Sequence, residues 1–229
     1  MIPMPPDGKN LLDDLKWPVR YEYYSKGYHE VITNSIDKHH TIYVPRNPKD
    51  PLRWIEVQHE AAHCLLAEQV HHLFSASYFK KGTPDNLLNV LNSAFRAAQD
   101  WFVDEVLYRH WPQVVRSEVK EHLELMFQFI KTQPEQITPE TGWGTALFFA
   151  QAKRYKCAGS TRKKIARSAP VIKKAADVFL AIDPSQPSIH TTRKLINKIL
   201  RLATPHGQKP FQVRLVMDDG LEVWELYQK

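Results

Sequence analysis

Residues 54–67 have the sequence WIEVQHEAAHCLLA. Apolar residues surround the polar residues His59, Glu60 and His63, a profile typical of a largely buried α-helix. On such a helix His59 and His63 lie four residues apart on one face, so both imidazoles can bind one metal ion. Burying these imidazoles without partners would cost several kcal/mol. The stretch therefore predicts a metal site on a buried helix.

Glu60 follows the first histidine and lies about 100° further around the same helix. It is therefore expected beside the metal rather than on it, where a carboxylate can take a proton from metal-activated water. The spacing His-Glu-x-x-His is a zinc-binding and general-base motif. The alternative interpretation is a pair of surface histidines flanking a salt-bridging glutamate.

A catalytic zinc ion needs a third protein ligand and leaves its fourth position for water. One known continuation of the motif would place Gly and His three and six residues after His63, but these positions hold Leu66 and Gln69. His71 and His72 lie two turns further along the helix and cannot easily reach the ion, so we expect them to be solvated histidines at the helix end. The third ligand must therefore come from elsewhere in the chain.

A second apolar stretch, AAQDWFVDEVL at residues 97–107, places two aspartates on one helix face. Like charges at this spacing repel each other, unless a cation and a histidine N–H satisfy them. We therefore predict Asp100 as the third ligand and Asp104 as the partner that orients one motif histidine, with Glu105 as the reserve ligand. Alternatively, Arg96 pairs with Asp100 on a solvated face.

With these two motifs the chain resembles the zincin superfamily of zinc metallopeptidases, in particular its gluzincin-like branch. The string Ala98-x-Asp100-x-x-Val103-Asp104-x-x-Leu107 is similar to small bacterial and phage metallopeptidase domains that use aspartate as third ligand. The resemblance covers roughly residues 20–111. It implies one Zn²⁺ per chain, held by His59, His63 and Asp100, with Glu60 as the base. The family's oxyanion-stabilising signature is missing, and the candidate donors are Tyr108, His110 and Tyr78.

We predict an α+β, zincin-like fold. A small N-terminal β-sheet packs on the motif helix and on the second ligand-bearing helix, and a mainly helical, basic extension ends in a β-hairpin.

The metallopeptidase core spans residues 1–111 and the basic region residues 112–229, although both can pack as one domain. Asp50 and Pro51 start the motif helix. The predicted strands are 21–24, 29–32 and 40–45, the later helices 112–132, 139–157, 161–182 and 189–203, and the hairpin strands 211–217 and 221–227. If Thr41–Val44 is an edge strand, it could bind a substrate peptide by strand addition; the alternative is a strand that only packs under the motif helix.

The charge is unevenly distributed along the chain. Residues 1–150 carry 15 Lys and Arg against 19 Asp and Glu, whereas residues 151–229 carry 16 against 6. A basic field of this kind can hold a phosphate backbone, and the candidate contacts are Arg162, Lys163, Lys164 and Arg167. The alternative is a basic surface that is solvated or that docks on the acidic half of the chain. The sequence favours it slightly, because it has neither an aromatic-interleaved motif for single strands nor helix-turn-helix spacing.

Composition indicates a cytoplasmic protein without a membrane segment. There is no apolar run of 18 residues, and the first eight residues do not have the pattern of a secretion signal. Two cysteines are too few for a disulfide framework and favour a reducing compartment. We expect Cys64 to be a small core residue rather than a nucleophile.

Three functions fit these observations. The first is a zinc-dependent endopeptidase that hydrolyses peptide bonds of an intracellular protein target through metal-activated water. The second is a nucleic-acid-associated protein whose zinc site is structural or catalytically silent. The third is a protein-interaction module of phage or prophage type.

Overall fold

The computed structural model describes residues 6–25, 29–46, 53–133, 136–137, 142–204 and 207–228. In this part of the chain the fold is α+β, with seven α-helices, a three-stranded sheet and a C-terminal two-stranded hairpin. The chain divides into two compact units. The first is Met1–Ser77 with Pro187–Ile189, and the second is Tyr78–Gln186 with His190–Lys229. The boundary predicted after residue 111 falls inside the second unit.

The first unit contains a sheet of three strands, β1 (Val19–Tyr24), β2 (Glu30–Asn34) and β3 (His39–Pro45). The order is β1-β3-β2, with β3 parallel to β1 and antiparallel to β2. The sequence prediction of Thr41–Val44 as an edge strand is therefore wrong. Because β3 is paired with β1 and β2 on both sides over His40–Tyr43, this stretch has no free edge to which a substrate strand could be added.

Helix α1 (Trp54–Gln69) follows this sheet and carries the first motif. The backbone N–H of Arg53 donates a hydrogen bond of 2.9 Å to the Glu56 side chain, which stabilises the first turn. The predicted start at Asp50 and Pro51 lies outside the described residues. Cys64 is fully buried in a core with Val31 and Ile42, which confirms it as a small core residue. Burial raises the pKa of its thiol well above the usual value.

Six helices form most of the second unit: α2 (Asp85–His110), α3 (Pro112–Thr132), α4 (Trp143–Arg154), α5 (Gly159–Ser168), α6 (Pro170–Leu180) and α7 (Ile189–Ala203). The single helix predicted over residues 161–182 is wrong, since α5 and α6 are separate. Pro170 begins α6 because it has no N–H to donate within a continuous helix, and its ring would clash with the preceding turn. The predicted start of α4 at Pro139 lies outside the described part of the chain.

The chain ends in the hairpin of β4 (Phe211–Asp218) and β5 (Leu221–Gln228). Asp219 and Gly220 both have positive φ, 47° and 81°, as the two-residue turn between these strands requires. The hairpin forms a sheet separate from β1–β3. The buried Trp224 pairs instead with the segment before α2, since its N–H donates to the Tyr78 carbonyl at 2.8 Å and its carbonyl accepts from the Lys80 N–H at 2.9 Å.

None of the helices in the described ranges combines the length and the apolar composition needed to cross a bilayer.

Candidate metal centre

The two motif histidines face each other on α1. Their Nε2 atoms are 3.2 Å apart, and the ring planes meet at 71°. His63 is buried and His59 is partly buried. Two nitrogens that bind one tetrahedral zinc ion at about 2.0–2.1 Å lie about 3.3 Å from each other. The observed separation therefore fits two ligands of one ion.

A backbone carbonyl group fixes the orientation of the His63 ring. Its Nδ1 donates a hydrogen bond of 2.5 Å to the carbonyl oxygen of Phe74, which is fully buried in a short 3₁₀ helix, His72–Phe74. Because a carbonyl can only accept, Nδ1 carries the proton, and the neutral ring keeps the lone pair of Nε2 for a metal ion. The sequence motif gives no sign of this partner, since every residue has a carbonyl group.

Asp100 lies at the middle of α2 and is partly buried. Its neighbours Ala97, Ala98 and Trp101 are buried, so the carboxylate lies beside apolar side chains. One oxygen of Asp100 and one ring nitrogen each of His59 and His63 lie within 4.8 Å of one another. Among the described residues these three side chains form the group that can hold a metal ion.

Asp104 lies one turn after Asp100 and is anchored by α4. Its Oδ2 accepts a hydrogen bond of 2.5 Å from Nε2 of Gln151, which is fully buried. We predicted that the Asp104 carboxylate orients one motif histidine. The Nδ1 atom of His63 already has a hydrogen-bond partner in the Phe74 carbonyl, so this nitrogen does not need Asp104. Gln151 was not predicted, because its position relative to Asp104 depends on how α4 packs on α2.

Glu105, the predicted reserve ligand, is engaged in an ion pair within the second unit. Both of its oxygens accept hydrogen bonds of 2.8 Å from the guanidinium of Arg154. These bonds raise the pKa of Arg154 above its usual value. Glu105 is not a member of the metal-binding group, which contains Asp100 instead.

Glu60, the predicted base, is 8% exposed. Within the described ranges no side chain or backbone N–H donates a hydrogen bond to its carboxylate, and no cation pairs with it. The group is therefore available to accept a proton from a substrate or a water molecule. Its place beside His59 in the sequence keeps it next to the proposed ligands.

The three candidate oxyanion donors lie at different places in the second unit. The hydroxyl of Tyr108 accepts a hydrogen bond of 2.9 Å from Arg116, and its ring stacks on Tyr155 at 3.9 Å. The ring of His110 packs against Trp111. Tyr78 uses its backbone carbonyl to anchor Trp224. The hydroxyl of Tyr108 thus already has a structural partner.

His71 and His72 stack on each other at 4.5 Å, beyond the end of α1. His71 accepts a hydrogen bond from the N–H of Leu73 and so caps the short 3₁₀ helix. His72 is buried, so the sequence prediction of a solvated side chain is wrong for this residue. Neither belongs to the metal-binding group found among the described residues.

Comparison of the chain with protein-family models, with curated proteins and with solved structures finds no match.

Proposed function

We propose that this protein is a zinc-dependent metallopeptidase that hydrolyses peptide bonds of an intracellular protein target. One observation carries the proposal. The Nε2 atoms of His59 and His63 are 3.2 Å apart, and a carboxylate oxygen of Asp100 lies within 4.8 Å of both. The resemblance of the two motifs to zincins supports the same interpretation.

The donor set favours zinc over other divalent ions. Two imidazoles and one carboxylate suit a borderline-soft ion, whereas magnesium and calcium prefer oxygen ligands alone. Structural zinc sites usually have four protein ligands, whereas catalytic sites have three and an open position. When bound, zinc supplies Lewis acidity and lowers the pKa of water. We infer one zinc ion per chain, with a catalytic role.

The residues of the chain then have separate roles. His59, His63 and Asp100 hold the ion, and the Phe74 carbonyl keeps the ring of His63 in the required tautomer. Glu60 accepts a proton from the attacking water and delivers it to the leaving amine, as a general base and then a general acid.

A cytoplasmic location is part of the proposal. Both cysteines are free thiols, Cys64 buried and Cys157 partly buried. Free thiols are typical of proteins in reducing compartments.

The decisive experiment compares zinc content and peptide cleavage in purified variants. We expect one zinc per chain in the wild type and in Glu60→Gln, and much less zinc in His63→Ala and Asp100→Ala. With casein and a quenched fluorescent peptide library as probes, Glu60→Gln should lower the rate of cleavage by about 10²–10⁴-fold, because the proton acceptor is lost. Elemental analysis and fluorescence measure the two effects.

Two matched controls accompany these variants. His190→Ala removes an exposed imidazole on α7 and should keep full zinc content. Glu56→Gln makes the same chemical change one turn before Glu60 and should keep cleavage. Zinc at one per chain in Asp100→Ala would refute the third ligand, and cleavage by Glu60→Gln at the wild-type rate would refute the mechanism.

A further inference from the structure

Helix α5 concentrates positive charge on its outer side. It carries four cations and no acidic residue over its ten positions. Its buried residues Thr161 and Ile165 form the inner side, where α5 packs with α3, α4 and α6. The side chains of Lys163, Lys164 and Arg167 are therefore exposed.

These cations have no acidic partners in the described part of the chain. Elsewhere in the second unit, several cations have acidic partners: Arg154 binds Glu105, Lys173 binds Asp177, and Arg214 binds Glu225. No carboxylate among the described residues pairs with the three exposed cations of α5. Like charges one turn apart repel each other, and a bound polyanion would remove this repulsion.

An aromatic ring of α3 lies among these charges. Phe127 is partly exposed, with the Lys164 ammonium 5.6 Å and the Lys131 ammonium 5.9 Å from its ring centre. The sequence alone does not show this arrangement, because the ring and one of its two lysines are on different helices. Packing of α3 on α5 creates the alternation of aromatic and basic groups that the linear sequence lacks.

We propose that this surface binds single-stranded nucleic acid. We call it the α5 patch and define it by Phe127, Lys131, Arg162, Lys163, Lys164 and Arg167. The exposed cations contact successive phosphates, and one base stacks on Phe127. Base stacking on an aromatic ring is stronger than an exposed cation–π contact, so the lysines can move from the ring to the phosphates.

The same features argue against two other anionic partners. In a duplex the base faces are stacked on each other, so Phe127 would contribute nothing to binding. A membrane surface attracts cations too, but interfacial binding needs apolar side chains that enter the bilayer. Phe127 is only partly exposed, which suits a base better than a lipid chain.

The test is binding of the full-length protein to fluorescein-labelled 20-nucleotide oligo(dT) and oligo(U), measured by anisotropy over a series of salt concentrations. Phe127→Ala should weaken binding about tenfold and leave the salt dependence unchanged, because it removes stacking but no charge. Lys163→Glu with Arg167→Glu should weaken binding further. It should also lower the slope of log K against log salt by about 1.4, since each lost phosphate contact on a single strand contributes about 0.7.

A matched double variant separates the patch from the general charge of the protein. Lys194→Glu with Arg201→Glu makes the same change in net charge at exposed positions of α7 and should have a much smaller effect. Circular dichroism checks that each variant is folded. Binding of both oligonucleotides should be independent of Glu60→Gln, because the α5 patch does not depend on the metal centre. The oligonucleotide that binds more tightly shows whether the α5 patch prefers DNA or RNA.

Three results would overturn the proposal. The first is equal weakening by the α5 and α7 double variants. The second is tighter binding of a 20-base-pair duplex than of either single strand. The third is binding to phosphatidylserine vesicles with no measurable affinity for either oligonucleotide, which would assign the patch to a membrane surface.

Discussion

At the scale of single residues, Glu105 shows how one ion pair removes a carboxylate from the set of candidate ligands. Its two hydrogen bonds to Arg154 are short, and its side chain is 8% exposed. We expect Glu105→Ala to keep one zinc per chain and to lower the free energy of unfolding by about 1–3 kcal/mol, because Arg154 loses its main acceptor. Elemental analysis and urea unfolding measure these effects.

A surface ion pair provides the control for this prediction. Lys173 pairs with Asp177 one turn away on α6, and both side chains are about half exposed. Lys173→Ala should therefore cost about 0.5 kcal/mol or less. If Glu105→Ala loses zinc but keeps its stability, Glu105 is a ligand after all and Asp100 is in doubt.

At the scale of elements, the sequence predicts helices well where their ends carry strong signals. It predicts α3 and α7 with their observed bounds, since Pro112 begins one and apolar periodicity defines the other. It fails at Pro170, where apolar residues continue on both sides and conceal the break between α5 and α6. In the site it predicts the side chains of the metal-binding group, but not the Phe74 carbonyl or Gln151, which depend on packing between elements.

Strand β3 and helix α1 are joined by a buried polar contact that should respond to pH. His40 is fully buried; its Nε2 lies 2.9 Å from Oε1 of Glu68, and its Nδ1 lies 2.8 Å from the hydroxyl of Thr33. A neutral ring satisfies both partners, since Nε2–H donates to Glu68 and Nδ1 accepts from Thr33. Burial lowers the pKa of His40 and outweighs the opposing effect of Glu68.

The direction of the pH effect follows from this lowered pKa. Between the lower pKa of the folded state and the ordinary value of 6.5, the unfolded chain binds more protons at this position. The stabilisation that the neutral His40 ring contributes is therefore complete above pH 6.5. It is lost as the pH falls through the pKa that His40 has in the folded state. The pKa of Glu68 is also lowered, because the effect of its hydrogen bonds outweighs that of burial. Since the ordinary pKa of this carboxyl is 4.5, the stabilisation that Glu68 contributes is lost at a lower pH than that of His40.

We expect amide protection in β3 to be lower at about pH 5.5 than at about pH 7.5 in the wild type, after correction for the intrinsic effect of pH. His40→Gln should lower protection at neutral pH but remove most of this pH dependence, because the amide cannot titrate. Hydrogen exchange followed by mass spectrometry of peptides covering residues 39–45 measures both. An unchanged pH dependence in His40→Gln would assign the effect to another histidine.

At the scale of the whole molecule, the proposed metal ligands are distant in sequence and come together only in the folded chain. Zinc should therefore bind the folded state in preference to the unfolded one and stabilise it. Free zinc at a hundred times its Kd should raise the free energy of unfolding by about 2.7 kcal/mol. Urea unfolding at buffered zinc concentrations measures this increase. His59→Ala and Asp100→Ala should lose most of it, whereas His190→Ala should retain it. An equal increase in all three variants would mean that zinc binds outside the proposed centre, since no ligand of that centre is then needed for the effect.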